Sequence, residues 1–297
     1  MRVLFLSLLG LAVTGTLHGQ ASGYVAADAV FSSRYMWRGL TRASSQVIQP
    51  DVYFSLAGPT VSPLGLTIRY PNLTAGGWAN YEIGSPDSDE IGQLGTGEKG
   101  FGEVNGWIQL AGSLGRVTLS TGWIRYAFRG EATRPDALSS LDDTQEIFAR
   151  MELDFRSASL AVSWWNDVDR VDGVYWETGF NLRLPLQPIP FPQVPLDPAF
   201  AILDLGILAG WNASQTLDAG GGGGHFADEG LTHVQFTASS SVLIGRQLSI
   251  EPRLHLQINS DDQARIVSRD VLDPERGAVW WFSITVSLLD ILGNGIR

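Results

Sequence analysis

Polar side chains, with acidic and basic residues among them, occupy alternate positions in several segments of this 297-residue chain. Carboxylates and guanidiniums that face each other across a narrow lumen create a transverse field, which acts on passing ions. In a filled interior the same groups would pair with one another. The pattern therefore predicts solute passage or internal pairing. The predicted lumen-facing residues are Asp51, Arg69, Arg150, Glu152, Asp154, Glu177, Arg183, Glu251, Arg253 and His255.

Catalytic and metal-binding patterns are weak by comparison. An outer-membrane lipid hydrolase needs a Ser, a His and an acid or amide near the outer rim, facing lipid. The strand candidates His233 and His255 alternate with apolar neighbours, so both are predicted to point inward. The sequence has no cysteine, no Gly-x-Ser-x-Gly element and no histidines at metal-ligand spacing. We expect no enzyme activity, no metal and no cofactor.

The segment before the C-terminus shows which elements would position the charged residues. Residues 279–288 alternate between an apolar face and a face that carries Trp281, Ser283, Thr285 and Ser287. A period of two over ten residues is typical of a β-strand with one apolar and one polar face. The side chains predicted to face a membrane are Trp280, Phe282, Ile284, Val286 and Leu288.

Twelve segments have strand character, and the connections between them alternate in length. Short turns followed by long charged loops are typical of an outer-membrane barrel, which needs an even strand count. The fold class predicted is all-β, an antiparallel transmembrane β-barrel of twelve strands. The predicted strands are Tyr24–Arg34, Gln46–Leu56, Leu66–Ile83, Gly102–Ala111, Arg116–Phe128, Thr144–Phe155, Ser159–Trp165, Val174–Leu184, Phe200–Trp211, Thr232–Val242, Gln247–Ile258 and Ala278–Leu288.

Three local features qualify this pattern. The fifth strand changes its apolar face midway, which a β-bulge near Gly122 would reconcile. Residues 36–45 read as a loop of medium length, in which Trp37 would anchor at the outer membrane interface. The connection Leu184–Ala199 carries six prolines and favours an extended polyproline II conformation, either a stiff turn or a periplasmic docking site.

The N-terminal 21 residues have a positive start, an apolar stretch and a small-x-small cleavage site. We predict a secretory signal peptide at 1–21 and a single barrel domain at 22–297. The formal net charge of −11 lies mainly in the predicted long loops. An acidic rim concentrates cations and could bind divalent ions that bridge lipopolysaccharide phosphates.

The residues Tyr35, Trp37, Arg38 and Gly39, followed by a polar stretch and then Gln49-Pro50, resemble the start of the TorF-type porin family of Gram-negative bacteria. In that family an aromatic residue, an Arg-Gly pair and a Gln-Pro strand recur early in the mature chain. The resemblance covers about thirty residues and implies an outer-membrane channel.

The function expected is passive diffusion of small solutes or ions through the outer membrane, with a preference for cations. Expected partners are outer-membrane lipid, lipopolysaccharide, the barrel-assembly machinery and the solutes themselves, with no nucleic acid. Two alternatives stay open: a structural or surface-binding barrel with a filled lumen, and a lipid hydrolase, which is less favoured.

Overall fold

The computed structural model describes residues 22–43, 45–83, 100–128, 143–185, 202–216, 224–244, 247–262 and 277–288. The predicted signal peptide, the proline-rich connection after Pro185 and most of the predicted acidic loops lie outside these residues. Within them, no helix is both long enough and apolar enough to cross a membrane.

The described residues form a closed antiparallel barrel, in which each wall strand pairs with its neighbours in the chain and the first strand closes on the last. This confirms the predicted fold class and strand count. The wall strands are β1 (Ser22–Ser32), β4 (Val47–Ala57), β5 (Arg69–Glu82), β6 (Gly100–Leu114), β7 (Val117–Phe128), β8 (Thr144–Phe155), β9 (Ala158–Asp167), β10 (Val174–Pro185), β11 (Ile202–Asn212), β12 (Gly230–Ile244), β13 (Leu248–Asn259) and β14 (Ala278–Leu288). Two short strands, β2 (Tyr35–Trp37) and β3 (Leu40–Ala43), pair only with each other.

Alternate side chains of each wall strand point out of the barrel, and the outer set is largely apolar. In β10, Trp176 and Phe180 are exposed on the outer surface. Tyr175, on the same strand, points inward and is fully buried. A soluble protein rarely exposes so many large apolar side chains around its whole circumference. The exterior therefore has the character of a lipid-facing surface.

The two ends of the barrel differ in their connections. At one end β6 joins β7, and β8 joins β9, through turns of two residues. We call this the turn end, and it also holds the start of β1 and the end of β14. The opposite end, the loop end, carries the connections after β1, β5, β7, β9, β11 and β13.

The predicted bulge near Gly122 is absent, because β7 pairs with β6 and with β8 in unbroken register from Val117 onward. Its even-numbered apolar residues, among them Ile124 and Tyr126, face the interior. They are apolar because this part of the lumen is occupied by protein. Glycine suits position 122 because a Cβ there would lie 2.5 Å from the inward Phe148 ring.

Candidate functional site

The connection between β1 and β4 folds into the barrel as a hairpin of β2 and β3, here called the lumen hairpin (residues 35–43). Its two-residue turn consists of Arg38, with φ of 50°, and Gly39, with φ of 91°. Two consecutive positive φ values are typical of the type I′ turn that closes tight hairpins. Tyr35, Leu40 and Ala43 are buried, so the hairpin packs against the lumen wall.

The tip of the lumen hairpin contacts the inner faces of β12 and β13. The Gln257 Nε2 of β13 donates a hydrogen bond to the Gly39 carbonyl oxygen at 2.8 Å. A Cβ on Gly39 would lie 2.9 Å from Nδ1 of His233 in β12. Glycine is therefore required twice at this position, by backbone conformation and by close approach. The hairpin leaves the wall between β1 and β4, and β13 is the second strand from β1 around the barrel, so these contacts place the tip inside the bore. The contact of Arg38 with Glu146 in β8, the fourth strand from β4, carries the turn across the bore.

A buried ion pair fixes the turn to the wall. Arg38 Nη1 and Nη2 donate to the two carboxylate oxygens of Glu146 in β8, both at 2.6 Å. The two side chains are 4% and 2% exposed, so solvent screens the pair very little. Tyr126 Oη donates to the same carboxylate at 2.8 Å, and Gln215 Nε2 donates to it at 3.3 Å. Burial alone would lower the pKa of Arg38, but Glu146 raises it above its ordinary value.

Aromatic rings enclose the Arg38 guanidinium. Its central carbon lies 4.5 Å from the ring centroid of Trp37, 4.7 Å from Tyr175 and 5.1 Å from Trp165. Cation–π contacts of this kind are strengthened where water is excluded. The positive φ of Arg38 is uncommon for a non-glycine residue and costs about 1–3 kcal/mol, which the ion pair and the rings offset.

Arg42, four residues further along the hairpin, has a different environment. Its guanidinium carbon lies 4.4 Å from the Trp37 ring centroid and 5.0 Å from Phe128. It makes no ion pair within the described part of the chain, and its Nε and Nη1 atoms are buried without hydrogen-bond partners. Burial lowers the pKa of Arg42, whereas the nearby Glu103 acts in the opposite direction.

The connection after β11 adds a second layer beside the hairpin. Tyr175 and Phe226 stack at 5.5 Å, and His225 contacts the Trp37 ring edge-on at 4.9 Å. Burial lowers the pKa of His225 well below its ordinary value, and the two guanidiniums of the hairpin add to this effect. His225 is therefore neutral at pH 7, and its buried Nδ1 has no hydrogen-bond partner among the described residues.

The charged residues predicted to face the lumen form separate local pairs. Arg150 pairs with Glu152 at 3.1 Å, and Arg253 pairs with Glu251 at 2.8 Å. Arg183 pairs with Asp204, which the prediction omitted, at 3.6 Å. These three pairs lie toward the turn end, away from the lumen hairpin.

The other predicted lumen residues occupy varied positions. Asp51 faces Asp28 across the β1–β4 pair, and Asp154 lies beside the turn between β8 and β9. Arg69 pairs with Ser113 beyond an irregularity of β5 and is solvent-exposed. Glu177 interacts electrostatically with Arg38 and Arg150.

His255 belongs to a hydrogen-bonded cluster on the inner wall. Its ring stacks on Trp281 at 4.5 Å, and its Nε2 lies 3.1 Å from Ser283 Oγ. Its Nδ1 lies 3.0 Å from Thr237 Oγ1. The cluster therefore links β12, β13 and β14 inside the barrel.

Side chains at the five predicted membrane-facing positions of β14 are exposed by 36–47% on the outer surface. Their neighbours at 279, 281, 283 and 285 are buried on the inner side. The five positions are Trp280, Phe282, Ile284, Val286 and Leu288.

The motif of the family resemblance divides between the hairpin and β4. Tyr35, Trp37, Arg38 and Gly39 form the lumen hairpin, whereas Gln49 and Pro50 lie in the wall, where Gln49 Nε2 donates to Asn80 Oδ1 at 3.1 Å. The prediction that Trp37 anchors at the outer interface is wrong. The Trp37 ring lies inside the barrel, where it contacts the guanidinium groups of both Arg38 and Arg42.

Sequence reasoning missed the wall residues that receive the hairpin. Glu146 lies in phase with Arg150 and Glu152 on β8, so its inward orientation was available from the alternation. The partner of Glu146 could not be inferred in the same way, because Arg38 is 108 residues away in the sequence. Gln215 and His225 lie in a connection whose sequence has no periodicity.

No family model and no curated protein matches this chain. Among solved structures, it is similar to the COG4313 outer membrane channel from Pseudomonas putida F1, with 12% identity, a TM-score of 0.49 and coverage of 93% of this chain and 98% of that one. It is also similar to the translocator domain of the autotransporter NalP from Neisseria meningitidis, with 8% identity, a TM-score of 0.38 and coverage of 97% and 95%. OccK5 (OpdH) from Pseudomonas aeruginosa gives 8% identity, a TM-score of 0.33 and coverage of 91% and 98%.

Proposed function

We propose that this protein is a bacterial outer-membrane channel for passive diffusion of small solutes or ions, narrowed by the lumen hairpin. The observation that carries the proposal is the closed barrel with an apolar exterior and a polar, charged inner wall. Only helices and closed barrels satisfy all backbone hydrogen bonds inside a bilayer. A charged inner wall then provides an aqueous path.

We also propose that the channel favours cations, because carboxylates outnumber guanidiniums on the described inner surface. The guanidiniums belong to Arg38, Arg42, Arg69, Arg150, Arg183 and Arg253. The carboxylates belong to Asp28, Asp51, Glu82, Glu103, Glu146, Glu152, Asp154, Asp167, Glu177, Asp204 and Glu251.

The proposal includes export through a cleaved signal peptide at 1–21, insertion by the barrel-assembly machinery, and contact of the exterior with lipid and lipopolysaccharide. The resemblance to TorF-type porins is consistent with it. We do not propose lipid hydrolysis, because the hydrogen-bonded Ser283 and His255 lie inside the barrel, away from the lipid-facing surface.

One observation favours a second candidate, a barrel with a closed lumen that serves a structural or surface-binding role. The lumen hairpin crosses the bore and is held at its tip by a buried ion pair and a hydrogen bond. If it leaves no continuous aqueous path, the protein would not conduct in its resting state.

Conductance in planar bilayers tests both candidates. The full mature chain is compared with a variant in which residues 34–45 are replaced by an Asn-Gly turn, which favours a tight hairpin connection. Discrete steps in the wild type, larger steps in the variant and a cation-selective reversal potential would support the channel. Silence in the wild type with conduction in the variant would support the closed barrel. Silence in both, with heat-modifiable migration intact, would rule out a pore.

A further inference from the structure

We infer that Arg42 is the binding group of an internal anion site, and that its ligand is the carboxylate of a small monoanionic solute. The inference adds a local anion site to the proposed channel, whose cation preference comes from the excess of carboxylates over the whole inner wall. It rests on the proposed function in one respect, that solutes enter the lumen. The site lies between the lumen hairpin and the inner faces of β6 and β7.

The first support is the unmet hydrogen-bonding capacity of Arg42. The residue is 4% exposed, and two of its three guanidinium nitrogens are buried without hydrogen-bond partners among the residues that the structure describes. Buried polar groups in proteins are almost always hydrogen-bonded, so such an exception calls for a physical explanation. A cation with unused donors inside a channel is explained by an anionic ligand that supplies the acceptors.

The second support is a local backbone irregularity that aims Arg42. In the hairpin, Tyr35 pairs with Ala43 and Met36 pairs with Thr41, so Arg42 is an extra residue in β3. A β-bulge of this kind redirects a side chain and is common beside functional sites. A regular two-stranded hairpin would not need the extra residue to close its turn.

The third support is the contrast between Arg42 and Arg38, which lie against the same Trp37 ring. The structure satisfies the charge of Arg38 with a bidentate carboxylate, and it offers no such partner to Arg42 within the described residues. The nearest acid, Glu103, already accepts hydrogen bonds from Tyr35 Oη at 3.0 Å and from Asn105 Nδ2 at 2.7 Å. The carboxylate that Arg38 obtains from the wall would come to Arg42 from a solute.

The surroundings select the class of anion. The rings of Trp37 and Phe128 contact the guanidinium, so the ligand approaches its N–H groups. Carboxylate oxygens accept strong, charge-assisted hydrogen bonds from such donors. Glu103 already interacts with the charge of Arg42, so a dianion such as phosphate would be poorly neutralised. Neutral His225, with its unpartnered Nδ1 against the same Trp37 ring, can supply one further polar contact.

The test uses saturation-transfer NMR of acetate with the full mature protein in detergent micelles, with acetamide as the neutral analogue. Transfer to acetate is expected, with little transfer to acetamide. Arg42→Gln should weaken acetate binding by about tenfold or more, the usual effect of losing a hydrogen-bonded charge. Arg42→Lys, which keeps the charge, should retain part of the binding. The matched control is Arg125→Gln, since Arg125 is exposed and pairs with Asp143 outside the lumen.

Heat-modifiable migration and circular dichroism establish that each variant is folded. Equal transfer in wild type and Arg42→Gln, or none in folded wild type, would overturn the site. Displacement of acetate by inorganic phosphate at lower concentration would overturn the carboxylate class. If Arg42→Gln does not fold, weakened acetate binding in folded Arg42→Lys supports the site, and undiminished acetate binding in that variant refutes it. Because binding is measured in micelles, a silent bilayer would refute the channel without affecting this result.

Discussion

Replacing Glu146 by Gln should release the lumen hairpin without unfolding the barrel. The carboxylate accepts two hydrogen bonds of 2.6 Å from Arg38, and both side chains are almost fully buried. Removing one partner of a buried pair leaves an uncompensated charge and typically costs about 3–5 kcal/mol. Glutamine keeps the shape of the side chain and one acceptor, so we expect the lower end, about 3 kcal/mol. The undocked hairpin would then become about 100-fold more populated.

Single-channel recording measures this shift directly. Glu146→Gln should show a state of larger conductance far more often than wild type. A matched control is Asp143→Asn, which breaks the Arg125–Asp143 pair; those side chains are 57% and 46% exposed, and such pairs contribute only about 0–1 kcal/mol.

The double variant Arg38→Gln/Glu146→Gln identifies the cause. If the uncompensated charge drives undocking, the double variant should be closer to wild type than the single one. Opening frequencies of Glu146→Gln that match those of wild type would refute the reasoning, because the ion pair would then not hold the hairpin across the bore.

Three further perturbations test the surrounding structure. Gly39→Ala should lower the melting temperature more than Gly65→Ala. Both positions have positive φ, but of the two only Gly39 has an atom within 3 Å of the added Cβ. Equal decreases in melting temperature would show that the close approach to His233 is unimportant. Phe180→Arg on the outer face should cost up to about 2–4 kcal/mol of barrel stability in lipid. Asn181→Arg, at the adjacent inward position, should be tolerated. Equal losses of stability in a denaturant titration would contradict the assigned faces. Since burial holds the pKa of His225 below its ordinary 6.5, the unfolded chain binds a proton first, so stability should fall as pH drops below 6.5. His225→Gln should flatten that part of the melting-temperature profile, and an unchanged profile would contradict the assignment.

The barrel was predictable because its signal is local. Period-two alternation in segments such as Thr144–Phe155 and Ala278–Leu288 fixes both the strand and its faces, and these two strands have the predicted bounds. Closure follows from an even count and alternating connection lengths. The face of β7 was less clear, since it depends on what fills the lumen beside it.

The lumen hairpin was not predictable, because its conformation depends on partners far away in the sequence. Arg38 contacts residues 108 and 177 positions further along the chain. Its turn also departs from the usual signal, since a type I′ turn favours Asn, Asp or Gly at its first central position. The expectation that every buried arginine pairs with an acid would have predicted an acidic partner for Arg42 as well. The described residues provide no such hydrogen-bonded partner.

If Arg42 binds a carboxylate, the ligand should also stabilise the docked hairpin. The guanidinium contacts Trp37, on the hairpin, and Phe128, on the wall, so the site is complete only when the two are together. A ligand that binds one of two states shifts the equilibrium toward that state in proportion to its differential affinity. Acetate should therefore reduce the openings of Glu146→Gln, and acetamide should not. The same reduction in Glu146→Gln/Arg42→Gln would show that acetate acts elsewhere, and an increase in openings would show that the anion binds the undocked hairpin. Arg42 would thus connect what enters the lumen to how often the lumen opens, and single-channel recording measures this connection.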